Sequence, residues 1–282
     1  MSSSPELYAQ ALLGTTTYKG FNVVQNKDTD KLAIIIDPRY DDLTIAVIEN
    51  FMYFMNPRGW NLMIIGWSGH ADAIKTRFPN AIVSLIDEDR IIFDEGKPNI
   101  TIDTYNSMLM DLDFWKSLTV EHICIFQRDC IMFKMFPEYY QCYDFCGASW
   151  HMSDVSLFNE GINGGFSIRK RSAMIDCLEY VSFETIEDYR IDARTNPSPI
   201  FKYINKDLLY IPLKRNEDVF FTYACEMLRK LVPDVIQRSF LAIEAIYNPD
   251  TCVYHGWQHS YHDLLMAQFL LQNSALFNPK KK

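Results

Sequence analysis

The sequence lacks the features of a secreted or membrane-spanning protein. Its seven cysteines are odd in number and include no CxxC pair, which is typical of reduced cytosolic thiols. No uninterrupted apolar run approaches the roughly 18 residues of a membrane span. The opening MSSSPELYAQ has neither the basic n-region nor the apolar h-region of a secretory signal. We therefore expect a soluble protein of the cytoplasm.

Positive charge is also scarce. The chain has 27 Lys and Arg against 36 Asp and Glu, which gives a net charge of -9. Broad nucleic-acid and anionic-membrane surfaces need clustered Lys and Arg, so we expect neither kind of partner. There is no GxGxxG motif, which disfavours a dinucleotide cofactor, and no HExxH motif of a zinc peptidase.

What the chain does have is enough apolar sequence for a large core, with 282 residues of which 48% are hydrophobic. Short apolar runs that read as buried strands alternate with segments of helical periodicity, and this order predicts βαβ units. The predicted strands are Leu32–Asp37, Asn61–Gly66, Ala81–Ile86 and Ile123–Phe126, and the predicted helices between them are Asp41–Met55, Ala71–Phe78 and Thr101–Leu118. The sequence thus predicts an α/β fold with a mainly parallel, Rossmann-like central sheet flanked by helices.

The second half of the chain is less regular. We predict a glycine turn and short strand over Gly161–Arg169, an irregular stretch over Ser182–Asn216, and helices over Lys170–Val181, Glu217–Leu231 and Tyr261–Leu271, with a strand near Leu241–Ala245. With no internal repeat or clear linker, we expect a single globular domain of two fused lobes. Its parts are a loose lead-in (1–30), a first half (31–135) and a second half (136–282).

Polar residues follow the strand Ile123–Phe126 directly, in the order Gln127, Arg128, Asp129. Ligands of open α/β sheets bind beyond the carboxyl ends of such strands. A carboxylate at this place suits Mg²⁺ or Mn²⁺, which takes few protein ligands and completes its shell with water and phosphate oxygens. The alternative is that Asp129 only forms a turn.

Two further motifs have both a functional and a structural explanation. Asn163, Gly164 and Gly165 would let the backbone approach a substrate closely, although an ordinary turn uses the same residues. Glu217 and Asp218 open a predicted helix, where acids also serve simply to cap it.

Three histidines, His255, His259 and His262, lie close together near the end of the chain. Their spacing permits a zinc site, but no acid stands at the catalytic offset. A zinc hydrolase is therefore the less favoured hypothesis. His255 follows a predicted strand and precedes Gly256 and Trp257, as a loop residue turned towards a site would.

In order along the chain, the strand ending in Asp129 is followed by FCGASW, NGGFSIR, NEDVFF and VYHGW. This order resembles GT-A type glycosyltransferases over roughly Leu32–Trp257. The nearest match is an uncharacterised family of fungi and large DNA viruses with the motifs FQTD, YVGAPW, NGGLSLR, EDVFF and a late His-Lys-Trp. The later part is also similar to β1,3-glycosyltransferases.

The resemblance implies a GT-A fold that binds a nucleotide-diphosphate sugar as donor, with Mn²⁺ or Mg²⁺. Asp129 matches the last acid of the DxD motif and His255 matches a late histidine, so both are expected to bind the metal. The first DxD position is Gln127 here, which lowers the expected metal affinity. Arg128, in the middle position, could instead pair with the diphosphate.

The same resemblance assigns the remaining roles. Asp218 matches the base that takes the proton of the acceptor hydroxyl in an inverting transfer, with Glu217 as its substitute. Donor or acceptor contacts are expected from Arg39, Gln127, Arg128, Asn163, Gly164, Gly165 and Trp257, and also from Trp150. Core packing is the alternative for both tryptophans, and a surface salt bridge is the alternative for Arg39. Since the DxD motif is eroded, a non-catalytic module that binds nucleotide sugars or glycans is the alternative function.

Overall fold

Eleven strands belong to three sheets in the computed structural model, which describes residues 18–149, 161–195, 215–244 and 248–256. In chain order they are β1 (Lys31–Ile36), β2 (Asn61–Gly66), β3 (Ile82–Leu85), β4 (Ile92–Asp94), β5 (Lys97–Asn99), β6 (His122–Phe126), β7 (Cys130–Met132), β8 (Phe145–Ser149), β9 (Ile162–Lys170), β10 (Ala242–Ile243) and β11 (Val253–His255). The central sheet has the order β3-β2-β1-β6-β9-β8. Its first four strands run parallel, and β9 pairs antiparallel with β6 and β8.

The helices cover both faces of the central sheet. They are α1 (Asp42–Met55), α2 (Ala71–Arg77), α3 (Ile102–Leu109), α4 (Leu112–Ser117), α5 (Arg171–Tyr180), α6 (Phe183–Thr195), α7 (Glu217–Met227) and α8 (Val235–Leu241). The predicted fold class, α/β with a mainly parallel central sheet flanked by helices, is thus confirmed. No helix among the described residues is long and apolar enough to cross a membrane.

The two faces follow from the alternation of side chains along a strand. In β1, Ala33 and Ile35 pack towards α1 and α2, whereas Leu32, Ile34 and Ile36 pack towards α3, α4, α5 and α7. Both sets are buried, which explains why β1 reads as a continuous apolar run.

The helices differ from the prediction in two places. The predicted helix Thr101–Leu118 is two helices, because Asp111 leaves the helical conformation and its side chain caps α4 by accepting from the Asp113 amide at 2.9 Å. The stretch predicted as irregular, Ser182–Asn216, contains α6. The predicted helix Tyr261–Leu271 lies outside the described residues.

Part of the predicted lead-in is fixed to the sheet. Tyr18 is buried, and the Asn26 amide donates to Asn61 Oδ1 at 2.8 Å while Asn61 Nδ2 donates to the Asn26 carbonyl at 3.0 Å. From Tyr18 onward this segment therefore packs on the domain.

One sheet joins the two predicted halves of the chain. β6 from the first half pairs with β9 from the second, with Phe126 opposite Phe166. The residues that follow β6 therefore lie beside the start of β9. This pairing is what brings the motifs of both halves together.

Candidate active site

Directly after β6, the triplet Gln127–Asp129 leaves the sheet and turns into β7. β7 pairs antiparallel with β11, and Cys130 stands opposite His255. The Gly256 amide donates to the Asp129 carbonyl at 3.1 Å. This backbone pairing brings Asp129 and His255, which are far apart in the sequence, next to each other.

Three possible metal ligands converge at this point. His255 Nε2 lies 3.6 Å from Asp129 Oδ1 and 3.4 Å from Gln127 Oε1. Asp129 Oδ1 is buried and has no hydrogen-bond partner among the described residues. Separations of this size are those of neighbouring ligands around one small divalent cation. The residues present therefore fit a metal ion held by a carboxylate, an imidazole and an amide oxygen.

Cys130 also lies in this group, since ligand atoms of Asp129, Cys130 and His255 all fall within 4.8 Å of one another. Its thiol is buried and donates to the Gly165 carbonyl at 3.6 Å. Burial raises the pKa of this thiol well above its usual value. In the protein without metal, Cys130 is thus a protonated, hydrogen-bonded thiol.

Glu244 stands behind His255. Its Oε2 is 3.9 Å from His255 Nδ1. Burial would lower the pKa of His255, but the carboxylates of Asp129 and Glu244 outweigh it and raise the pKa to about 9. An acid behind the second ring nitrogen is the usual way in which a metal-binding histidine is oriented.

The glycines at 164 and 165 lie inside strand β9, not in the predicted turn. A Cβ on Gly165 would overlap His255 Nε2 and would stand 2.6 Å from Gln127 Oε1. A Cβ on Gly164 would overlap the Glu217 carboxylate. Both positions favour glycine because side chains from other elements pack directly against the strand there.

Asp218 approaches the same stretch from the first turn of α7. Its Oδ2 lies 3.5 Å from the Gly164 amide, and its Oδ1 accepts from the Val219 amide at 2.9 Å. Burial and the neighbouring charge of Glu217 raise the pKa of Asp218 to about 7, against the opposing effect of the two amides. A carboxylate with such a pKa is suited to accept a proton near neutral pH.

Glu217, the predicted substitute base, is paired with Arg169 and is not free to act as a base. Its carboxylate forms a two-pronged ion pair with Arg169, with Nη1 to Oε2 at 2.7 Å and Nη2 to Oε1 at 3.0 Å. The Arg169 side chain is fully buried and that of Glu217 is 3% exposed. The guanidinium also lies 4.8 Å from the ring centroid of Phe145.

A cavity of about 250 Å³ opens beyond the ends of β1 and β6. Asp37, Arg39, Tyr105 and the triplet Gln127–Asp129 contribute to its lining. The Arg39 guanidinium pairs with both Asp37 oxygens, at 2.8 and 2.7 Å.

Arg128 is tied to a helix cap. Its Nη2 contacts both oxygens of Asp41, at 3.1 and 2.9 Å, and Asp41 in turn caps α1 by accepting from the Thr44 amide at 3.0 Å. Burial alone would raise the pKa of Asp41, but the amide of Thr44 and the charge of Arg128 lower it.

A family model described as "Protein of unknown function (DUF5672)" matches residues 92–255, which is more than half of the 282-residue chain. The chain belongs to the DUF5672 family. The matched range of this family contains β6, β7, β9, α7 and β11, and therefore every side chain at the metal and base positions described above. No curated protein matches the chain.

Among solved structures, this DUF5672 protein is similar to a galactosyltransferase, LgtC, in complex with donor and acceptor sugar analogues. The TM-score is 0.49 and the identity 8%, over 86% of this chain and 95% of that one. It is also similar to mouse xyloside xylosyltransferase 1, with a TM-score of 0.44 and 10% identity over 80% and 97% of the two chains. Because both TM-scores are below 0.5, the function is inferred below from the site.

Of the residues predicted from sequence, the structure brings together Asp129, His255, Gln127, Gly164, Gly165 and Asp218, with Arg39 and Arg128 at the adjoining cavity. Asn163 belongs to the same strand, and its Oδ1 accepts from the Gly165 amide at 2.6 Å. Trp150, Trp257, His259 and His262 lie outside the described residues.

Sequence reasoning missed three residues of this DUF5672 site: Arg169, Glu244 and Tyr105. Arg169 ends the predicted motif NGGFSIR, and an arginine in an otherwise apolar strand is a usable signal for a buried ion pair. Glu244 and Tyr105 carry no such signal, since only the fold places them beside His255 and Gln127.

Proposed function

We propose that this protein transfers a sugar from a nucleotide-diphosphate sugar to an acceptor hydroxyl, with help from a divalent metal. The observation that carries the proposal is the convergence of Asp129, His255 and Asp218 on the Gly164–Gly165 stretch of β9. A cation site and a carboxylate base beside the same short stretch of strand, next to a cavity, are what such a transfer needs.

The donor is assigned to the cavity at the ends of β1 and β6. Open α/β sheets bind nucleotides there. The ion pair with Asp37 fixes the Arg39 guanidinium at the cavity and neutralises part of its charge, so Arg39 is assigned hydrogen bonds to the base or phosphates. Arg128 is partly neutralised by Asp41 and contributes less charge to the diphosphate than its sequence position suggests.

The metal is assigned to Asp129 and His255, with Gln127 lending its amide oxygen. Mn²⁺ or Mg²⁺ bound there would stabilise the negative charge that develops on the leaving nucleoside diphosphate. Glu244 Oε2 lies 3.9 Å from His255 Nδ1 and places a negative charge behind the imidazole.

Asp218 is assigned as the base of an inverting transfer. The acceptor oxygen attacks the anomeric carbon while the bond from that carbon to the phosphate oxygen breaks. The electron pair of the broken bond leaves with the nucleoside diphosphate, and the hydroxyl proton passes to the Asp218 carboxylate. Glu217 is not assigned this role, because both of its oxygens pair with Arg169.

The test is a screen of purified protein against UDP-, GDP- and dTDP-sugars, with and without Mn²⁺. We expect at least one sugar nucleotide to raise the melting temperature and to release its nucleoside diphosphate, slowly to water and faster when an acceptor is supplied. The proposal fails if none binds and none is turned over under either condition.

A non-catalytic sugar-nucleotide binding module is the second candidate, favoured by the amide at Gln127 in place of an acid. It predicts binding with no release of nucleoside diphosphate. A zinc hydrolase predicts stoichiometric zinc in the purified protein. The cytoplasmic location stays a prediction.

A further inference from the structure

Gln127 poses a problem that an aspartate at the same position would not. Both ends of a carboxylate can bind a cation, whereas an amide has one ligand end, the oxygen, and one end that carries two hydrogens and repels a cation. In the structure, Oε1 faces the site, 3.4 Å from His255 Nε2 and packed against Gly165. A neighbouring group must therefore hold the Gln127 amide with Oε1 towards the cation site and Nε2 away from it.

Tyr105 is placed to do so. It projects from α3 into the same cavity wall as Gln127, and its hydroxyl oxygen is buried with no hydrogen-bond partner among the described residues. Gln127 lies close enough to affect the pKa of Tyr105, although no hydrogen bond of normal geometry joins them. A phenol hydroxyl has acceptor as well as donor capacity, so its oxygen can accept a hydrogen bond from an amide NH₂ group.

Buried hydroxyls without partners are rare in folded proteins, and each needs an explanation. The apolar body of Tyr105 packs in the core beneath the cavity, a role that phenylalanine would fill equally well. The hydroxyl therefore has a use other than packing.

We infer that Tyr105 is a positioning residue that accepts a hydrogen bond from Gln127 Nε2 and so directs Gln127 Oε1 towards the cation site of Asp129 and His255. The inference rests on the metal part of the proposed function. It explains how this chain uses an amide where its resemblance leads us to expect an acid.

The test is a double-mutant cycle on Mn²⁺ affinity, measured with Mn²⁺ alone by titration calorimetry or electron paramagnetic resonance. Tyr105→Phe should weaken Mn²⁺ binding about tenfold, the lower end of the effect of removing a residue that orients a metal ligand. In a Gln127→Asp background, Tyr105→Phe should change Mn²⁺ affinity by less than about twofold, because either carboxylate oxygen can then face the metal.

Tyr140→Phe is the matched control. It removes a tyrosine hydroxyl that is satisfied, since it donates to the Gln237 carbonyl at 2.7 Å, away from the cation site. We expect this variant to melt at a lower temperature with unchanged Mn²⁺ affinity, and Tyr105→Phe to keep the wild-type melting temperature.

Three results would overturn the inference. The first is equal Mn²⁺ affinity in the wild type and Tyr105→Phe. The second is an equal loss of affinity on Tyr105→Phe in the wild-type and Gln127→Asp backgrounds, which would mean that Tyr105 acts without the amide. The third is no Mn²⁺ binding by the wild type, which also removes the metal part of the proposed function. Metal-free turnover of a sugar nucleotide would show separately that the transferase part stands.

Discussion

Arg169 on β9 and Glu217 on α7 form a fully enclosed, two-pronged ion pair directly beneath Gly164. Its geometry links the strand that carries the glycines to the helix that carries Asp218. The pair occupies Glu217 and leaves Asp218 with a negative neighbour, which is one cause of the raised pKa of Asp218. The ion pair therefore shapes the site without offering a group to a substrate.

Breaking the ion pair between Arg169 and Glu217 should strongly reduce the stability of the fold. Glu217→Ala leaves a buried guanidinium unpaired, and we expect a loss of about 3–5 kcal/mol in the free energy of unfolding. The apolar double variant Arg169→Met with Glu217→Leu should recover most of it, since buried pairs are often replaceable by apolar residues. Denaturant titration measures both. A single variant as stable as the wild type would contradict this account.

Asp218→Asn should abolish transfer while leaving donor binding intact. Removing a general base costs roughly 10²–10⁴-fold in kcat/KM, and nucleoside diphosphate release from the best donor measures it. Asp113→Asn, on the exposed start of α4, is the matched control and should keep full activity. Unchanged activity in Asp218→Asn would rule out Asp218 as the base.

The same variant has a predictable effect on stability. The folded Asp218 carboxyl keeps its proton up to about pH 7, whereas an unperturbed one releases it near 3.8. The wild type therefore loses stability as the pH rises between these values. Because asparagine does not ionise, Asp218→Asn lacks this loss. The melting temperature of Asp218→Asn minus that of the wild type should therefore increase as the pH rises over this range.

Activity should rise with pH and level off above neutrality. Asp218 acts as a base only when ionised, and burial together with the charge of Glu217 raises its pKa to about 7. We expect kcat/KM to be half-maximal near that pH at saturating metal. An activity that is already flat from pH 5 would place the base on another group.

Gly165→Ala should mainly lose Mn²⁺ binding, whereas Gly164→Ala should mainly lose stability. A methyl group at 165 overlaps His255 and crowds Gln127, so Mn²⁺ binding should be lost at a modest cost in stability, about 1–3 kcal/mol. A methyl group at 164 overlaps Glu217 and stands 2.8 Å from Arg169 Nη2, so it should destabilise the fold through the ion pair. Mn²⁺ titration and thermal melting of both variants separate the two effects. Equal Mn²⁺ affinity in Gly165→Ala and the wild type would contradict the assigned site.

Two neighbouring variants should show which kind of metal the site takes. Asp129→Ala removes a hard oxygen ligand and should weaken Mn²⁺ binding at least about tenfold. Cys130→Ser should leave Mn²⁺ affinity unchanged, because the thiol is already bonded to the Gly165 carbonyl. A large loss for Cys130→Ser, together with zinc in the purified protein, would instead indicate a soft-ligand zinc site.

The sequence by itself determined the layers of this protein. The apolar runs at Leu32–Asp37 and Ile123–Phe126, with helical periodicity between them, specify buried parallel strands because strands covered on both faces have no polar side. The sequence also placed Asp129 at a strand end, since the apolar run stops shortly before it. These local patterns need no knowledge of distant contacts.

Only the tertiary structure decided how the acids and glycines are used. Sequence patterns could not tell which of Glu217 and Asp218 is enclosed with Arg169, because both are equally good residues for a helix start. From sequence alone, Gly164 and Gly165 are predicted to form a turn. The structure places them in β9, which pairs with β6, and packs His255 against Gly165. Their roles depend on side chains that approach from β11 and α7, and such long-range contacts leave no periodic signal in the chain.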